Sequence, residues 1–214
     1  MSQNNQAVTI KPPSFKTAVF SLKGIAPLVI HRFSAKTKNE MLQKQEIGKA
    51  AGSKKNREAK SSEDTYQDSK YVHKDGWEGI NAAAFRSALI AACRLVGFKM
   101  TLAKLSFFVI PDGYDAKEPQ IPLVRIYGES VRQEDMARVA TGQPYVTIRA
   151  AYHDWTAKLA IQWDEDQCTF QDIANLLLRV GMQVGICEGR PGSTNSAGMG
   201  WGLFTFDNKG ETNG

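Results

Sequence analysis

Apolar and polar side chains alternate along several short stretches of this chain, which is the pattern of strands that bury one face. In residues 17–23, Phe20 and Leu22 alternate with mostly polar neighbours, and residues 158–163 alternate in the same way. Further strands are predicted over residues 102–110, 121–127 and 145–152, with a short strand before a glycine-rich loop near the C-terminus and a closing strand after it. The pattern therefore predicts a β-sheet assembled from short segments.

Helix signals separate these strands. Asn81 caps a helix that we expect over residues 82–96, with a glycine directly after it. Thr169 begins a second helix, in which apolar residues recur at helical spacing. Ser130 begins a short helix that we expect to end near residue 140.

The order of these elements is strand, insertion, helix, strand, strand, then strand, helix, strand. It predicts an α+β protein with a ferredoxin-like βαββαβ core, in which both helices cover one face of a mainly antiparallel sheet. The opposite face is then available to a ligand. We expect a flexible arm over residues 1–16, one domain over residues 17–207 and a tail over residues 208–214.

A lysine-rich insertion follows the first strand, over residues 34–76. Ten lysines and arginines lie there beside seven acidic residues, and large apolar side chains are scarce. Such a segment buries too little surface to offset the entropy of ordering it. We therefore expect an insertion that is partly disordered in isolation and that contributes to function or to assembly.

Composition narrows the class of protein. The 214 residues carry a formal net charge of +5, which is compatible with nucleic-acid binding. The apolar runs are too short to cross a bilayer and the N-terminus lacks a signal-peptide pattern, so we expect a cytoplasmic protein with no membrane partner. Three cysteines without CxxC spacing argue against a disulfide framework and against a zinc ribbon.

Six glycines occur between residues 185 and 202, in a segment that follows a helix and leads into a strand. A Rossmann or P-loop glycine motif lies instead between a strand and a helix, so neither fits. We interpret the segment as a cradle of backbone amides for a phosphodiester chain, assisted by Arg190, Ser193 and Asn195. The alternative is a flexible connection between strands.

This loop with its arginine, together with the alanine-rich helix in residues 79–97, resembles the RAMP superfamily of RNA-binding proteins, and in particular the backbone subunits of CRISPR effector complexes. A stand-alone or phage-encoded relative would share the same features. The resemblance implies that Arg190, Arg86 and the lysines of the insertion, including Lys36 and Lys38, contact the nucleic-acid backbone. It also implies a helical homo-oligomer, with the insertion reaching a neighbouring subunit.

Other basic residues fit the same function without the resemblance. His31 and Arg32 follow the first strand region, and Arg149 lies on a predicted strand that is followed by aromatic residues. Guanidinium groups beside aromatic rings suit single strands, because bases stack while phosphates form ion pairs. The alternatives are a solvated helix charge for Arg86 and a place in the core for Trp155.

The sequence therefore predicts a non-enzymatic protein that binds single-stranded RNA or DNA largely without sequence preference and assembles along the strand, with no metal or cofactor. Two alternatives remain open. One is a metal-independent endoribonuclease with His31 as general acid or base. The other is a phage decoy subunit that inserts into a host CRISPR complex through contacts with its proteins.

Overall fold

The computed structural model describes residues 10–32, 42, 61–138, 144–194 and 198–207. Eleven strands lie within these residues. Their bounds are Phe15–Gly24 (β1), Leu28–Ile30 (β2), Tyr71–Val72 (β3), Glu78–Asn81 (β4), Phe107–Ile110 (β5), Gly113–Tyr114 (β6), Pro122–Tyr127 (β7), Ser130–Arg138 (β8), Pro144–Tyr152 (β9), Thr156–Asp164 (β10) and Phe204–Phe206 (β11).

Four α-helices lie within the same residues. Their bounds are Ser62–Asp68 (α1), Ala82–Ala92 (α2), Met100–Ser106 (α3) and Phe170–Arg179 (α4), with a 3₁₀ turn at Cys93–Val96 and a π-helical turn at Val180–Val184. Two of the three helix caps expected from the sequence are present. The Asn81 side chain accepts a hydrogen bond from the Ala83 amide, and Thr169 and Asp172 form a reciprocal capping box at the start of α4.

The main sheet has eight strands, and every pair in it is antiparallel. The order along the sheet is β11-β1-β10-β7-β4-β3, while β5 also pairs with β10 and β6 also pairs with β7. Strand β10 is central because it pairs with β1 on one side and with both β5 and β7 on the other.

A second sheet of three strands has the order β2-β9-β8. Strands β8 and β9 pair from Ser130 opposite Tyr152 to Arg138 opposite Pro144, which makes a long two-stranded ribbon. Strand β2 adds only three residues to the other side of β9. This sheet therefore has β8 as a long edge strand.

The hydrophobic core lies between one face of the main sheet and helices α2 and α4. Phe20 and Leu22 of β1 are buried there with Phe85 of α2 and Leu177 of α4. Trp155 is also buried in this cluster, which confirms the alternative that placed it in the core.

The predicted ferredoxin-like βαββαβ core is wrong. The main sheet contains eight strands, a further sheet of three strands accompanies it, and four α-helices occur in the described residues where that core has two. The strand expected over residues 121–127 is present as β7, and the unexpected strands β3, β4 and β6 extend the sheet beyond it. Strands as short as Tyr71–Val72 leave no clear periodic signal, so the sequence pattern predicted fewer strands than the sheet contains.

Two further element predictions are wrong. Residues 130–138 form strand β8 and not a helix, because pairing with β9 along the whole strand outweighs the local capping signal at Ser130. Residues 102–106 belong to helix α3, and only residues 107–110 form the expected strand. Leucine, alanine and lysine in that stretch favour a helix, while the aromatic and β-branched residues after it favour a strand.

The expected insertion is described only in part. Residues 33–41 and 43–60 lie outside the described residues, as does most of the expected N-terminal arm and the tail from residue 208 onward. Residues 61–76 contain helix α1 and strand β3, with Tyr66 buried in the core cluster. This part of the insertion therefore belongs to the folded body of the protein.

The segment between α4 and the glycine-rich loop is a π-helical turn and not the short strand that we expected. All three cysteines are free thiols. Burial raises the pKa of Cys93 to about 11, so this side chain stays protonated at neutral pH.

A candidate nucleic-acid interface

One face of the main sheet packs on the core, and alternation along the strands places a second set of side chains on the other face. Val19 and Lys23 of β1 are exposed, whereas Phe20 and Leu22 between them are buried. In β10, Lys158 is exposed while its neighbours are buried. We call the second face the open face. Its side chains are Phe15, Thr17, Val19, Ser21 and Lys23 of β1, Phe108 and Ile110 of β5, Arg125 and Tyr127 of β7, Thr156, Lys158, Ala160, Gln162 and Asp164 of β10, and Thr205 of β11.

Cross-strand pairing arranges the open face in rows, because residues that pair directly share a face. The row nearest the end of β1 is Thr205, Lys23, Thr156 and Tyr127. The next row pairs Ser21 with Lys158, and the row after it is Val19, Ala160 and Ile110. Two further rows are Thr17, Gln162 and Phe108, and then Phe15 with Asp164. Polar, basic and apolar rows thus follow one another across the sheet.

Aromatic rings border the open face on two sides. The Phe15 and Phe108 rings meet edge to face, with centroids 5.8 Å apart. At the other side, the Arg125 guanidinium lies 4.9 Å from the centroid of the Tyr127 ring. Tyr127 is 43% exposed and Val19 is 63% exposed, so the surface between these borders is accessible to a ligand.

The charge of the open face is mainly positive. Lys23, Lys158 and Arg125 are exposed cations, and the described residues provide none of them with an acidic side chain in ion-pair contact. Two acidic residues accompany this face: Asp164 lies in the row farthest from Lys23, and Asp207, whose amide donates to the Ser21 carbonyl, follows β11 at the edge of the sheet. Cations without acidic partners attract phosphates more strongly than paired ones, because no neighbouring carboxylate cancels their charge.

Arg32, one of the predicted contacts, lies inside the protein. Its guanidinium Nη2 is 2.8 Å from Oδ2 of Asp115 and 3.1 Å from Oε1 of Glu118, and its side chain is only 4% exposed. The guanidinium also lies over the Tyr71 ring. The buried Asp115 and the partly buried Glu118 both form ion pairs with Arg32, so this residue stabilises the fold and does not face solvent.

Arg86 also has structural partners. Its Nε donates to the Phe107 carbonyl at 3.0 Å, and its Nη2 donates to the Lys104 carbonyl at 2.6 Å near the end of α3. The guanidinium lies over the Phe108 ring, 5.2 Å from the centroid. Arg86 is therefore held by two main-chain carbonyls and contacts Phe108, an aromatic residue at the border of the open face.

His31 lies within electrostatic range of Arg149 and of Glu188, which belongs to the glycine-rich loop. Partial burial lowers the pKa of His31, the Arg149 guanidinium lowers it further, and Glu188 acts in the opposite direction. The His31 ring is therefore uncharged at neutral pH, although the residue keeps solvent exposure. Arg149 lies 3.6 Å from the Asp135 carboxylate, which reduces its attraction for a phosphate.

The glycine-rich loop is folded against itself and against the connection between β1 and β2. The amides of Gly192, Ser193 and Met199 donate to carbonyls of residues 184, 190 and 189, and the Glu188 amide donates to the Val29 carbonyl. The Arg190 guanidinium donates to the Cys187 carbonyl at 2.8 Å. These amides are engaged within the protein and are not available for a phosphate.

Three of the predicted contact residues lie outside the described residues, namely Lys36, Lys38 and Asn195. The sequence missed the residues of the open face, including Lys23, Lys158, Arg125, Phe108 and Tyr127. Their outward direction could have been inferred from alternation within each strand, but their proximity depends on which strands pair and in which register.

None of the helices in the described ranges is long and apolar enough to cross a membrane. Across those same ranges, no three His, Cys, Asp or Glu side chains come together in a group that could hold a metal ion.

The comparisons with known proteins give no relative. A scan against models of protein families finds no match to this chain, and a search of curated proteins finds none. The resemblance to the RAMP superfamily therefore stays a prediction, and the geometry of the open face is the principal guide to function.

Proposed function

We propose that this protein binds single-stranded nucleic acid on the open face, largely without sequence preference, and assembles with further copies along the strand. The observation that carries the proposal is the combination of exposed lysines without acidic partners and bordering aromatic rings on one uncovered face of the described sheet. Lysines bind phosphates of any sequence, and aromatic rings stack on any base.

The dimensions of the face suit a strand that crosses it. Lys23 and Lys158 occupy adjacent rows on the neighbouring strands β1 and β10, while Phe108 and Tyr127 lie on the flanking strands β5 and β7. Neighbouring strands of a sheet are about 4.8 Å apart, so these groups can contact successive nucleotides. Duplex nucleic acid hides its bases inside the helix, which makes the aromatic border useful only for an unpaired strand.

The test replaces two lysines of the open face. In Lys23→Glu/Lys158→Glu, both phosphate contacts are lost and two repulsive charges are added. We expect the dissociation constant for a labelled strand of about 20 nucleotides to rise at least tenfold. The slope of its logarithm against the logarithm of salt concentration should fall by the amount that corresponds to about two phosphate contacts. Fluorescence anisotropy between about 50 and 200 mM salt measures both quantities.

The matched control is Arg94→Glu/Lys99→Glu, which makes the same charge change at exposed positions next to helices α2 and α3. The control should bind nearly as tightly as the wild type. If both double variants lose the same amount of affinity, net charge and not the open face determines binding. Salt-insensitive binding by the wild type, or no binding, would remove the proposal.

A further inference from the structure

A groove lies next to the open face, where β7 leads into β8. It is a shallow depression, largely open to solvent, with a volume of about 630 Å³. Trp77, Arg125 and Tyr127 line one side, and Lys70, Glu78 and Ser130 also line it. Because Arg125 and Tyr127 belong to the open face as well, a strand bound there can continue directly into the groove.

The side of the groove shared with the open face is a stack of aromatic rings and a cation. The Arg125 guanidinium lies 5.8 Å from the centroid of the Trp77 ring and 4.9 Å from that of Tyr127. The His73 ring stacks on Trp77 at 4.4 Å. The rings restrict the orientation of Arg125, and no carboxylate among the described residues pairs with it. Arg125 is thus a preorganised cation that faces solvent at the edge of the groove.

Glu78 lines the groove from the other face of the sheet, because its neighbour Gly79 is the residue that pairs with Arg125. Oε1 of Glu78 lies 2.9 Å from Lys70 Nζ, and Tyr152 donates its hydroxyl to Oε2 at 2.6 Å. Burial raises the pKa of Glu78, but hydrogen bonds from Tyr152, Lys70 and Ser130 lower it, and the net pKa lies below its usual value. The carboxylate is therefore ionised at neutral pH, and with three donors already on its two oxygens it retains one acceptor position for a donor on a ligand. The exposed Glu129 adds a second carboxylate to the lining.

We propose that this groove holds one nucleotide of the bound strand, with its phosphate at Arg125, its base against the Tyr127 and Trp77 rings, and an exocyclic amino group directed toward Glu78. This inference rests on the proposed function. Carboxylates accept hydrogen bonds from the amino group of cytosine, whereas uracil presents a carbonyl oxygen at the same position and is repelled. The groove thus adds a base preference to a face that otherwise binds any sequence.

The experiment compares oligocytidylate with oligouridylate of the same length, since their bases differ mainly at this amino group. We expect the wild type to bind oligocytidylate about fivefold more tightly. Arg125→Gln should weaken binding of oligocytidylate more than that of oligouridylate, because the nucleotide leaves the groove. Glu78→Gln should abolish the preference, with a melting curve to show that the variant is folded.

Lys158→Gln is the matched control, because it lies on the open face away from the groove. It should weaken the binding of both oligonucleotides by the same factor and leave the ratio of their dissociation constants unchanged. Equal binding of the two strands by the wild type, or a preference that survives Arg125→Gln, overturns the nucleotide site. If Lys158→Gln weakens binding in that case, the proposed function stands without the groove. If the wild type binds neither strand, the proposed function itself fails.

Discussion

The carboxylates around a cation decide whether its charge is paired within this protein or accessible to a ligand. Arg32 has the charge that a phosphate contact requires, but Asp115 and Glu118 surround it in the interior. Lys158 is exposed and has no acidic partner among the described residues. A buried guanidinium stabilises its carboxylates, whereas an exposed and unpaired ammonium is available to a ligand.

Arg32→Leu should destabilise the protein by about 3 to 5 kcal/mol, because the buried Asp115 and the partly buried Glu118 would lose their counter-charge. This corresponds to a decrease in melting temperature on the order of 10 °C for a chain of this size. Circular dichroism during heating measures it. Arg190→Ala serves as the control, since it loses one hydrogen bond to the Cys187 carbonyl and should cost about 1 kcal/mol. A melting temperature of Arg32→Leu close to that of the wild type would show that the ion pairs do not form.

Among the elements, the glycine-rich loop derives its conformation from close packing. Gly202 has a φ of +68°, and its amide donates to the Pro27 carbonyl at 2.8 Å. A Cβ at this position would collide with the Ile186 carbonyl oxygen. Gly200 has a similar φ of +76°, but no atom lies within 4 Å of a Cβ built there. The two glycines therefore separate the effect of packing from that of backbone conformation.

Gly202→Ala should cost about 3 kcal/mol or more, because it adds a steric collision to an unfavourable φ. Gly200→Ala should cost only about 1 to 2 kcal/mol, since it introduces the unfavourable φ alone. Urea denaturation of both variants measures the difference. Equal free energies of unfolding would indicate that the loop does not pack against residue 186 as described.

At the scale of the whole molecule, the modest charge sets how much of a strand one copy can neutralise. The formal net charge is +5, whereas a single strand carries about one negative charge per nucleotide. On the proposed function, one copy would therefore compensate only a short stretch, and a long strand would attract several copies. This electrostatic argument agrees with the homo-oligomer that the sequence resemblance implies.

We expect complexes with long single strands to gain mass in proportion to strand length, with one copy for every 4 to 16 nucleotides or so. Sedimentation velocity with strands of increasing length measures the mass. Lys23→Glu/Lys158→Glu should remain unassembled on the same strands. A complex that holds one copy on every strand, whatever its length, would contradict assembly but not binding.

Much of the local structure followed from the sequence. Alternation predicted β1 and β10, and the caps at Asn81 and Thr169 predicted α2 and α4, because these signals arise from neighbouring residues. The availability of one sheet face was also expected. The helix expected at Ser130 failed because β9, the next strand along the chain, pairs with that whole segment, and this pairing outweighs the capping signal at Ser130.

The tertiary structure alone decided which outward-facing residues became neighbours. Lys23, Thr156 and Tyr127 share a row only because β1, β10 and β7 pair in one register, and a shift by one residue would turn each side chain to the opposite face. Burial of Arg32 beside Asp115 depends on contact between segments more than eighty residues apart. Local patterns encode local conformation, whereas long-range pairing creates the open face and removes Arg32 from it.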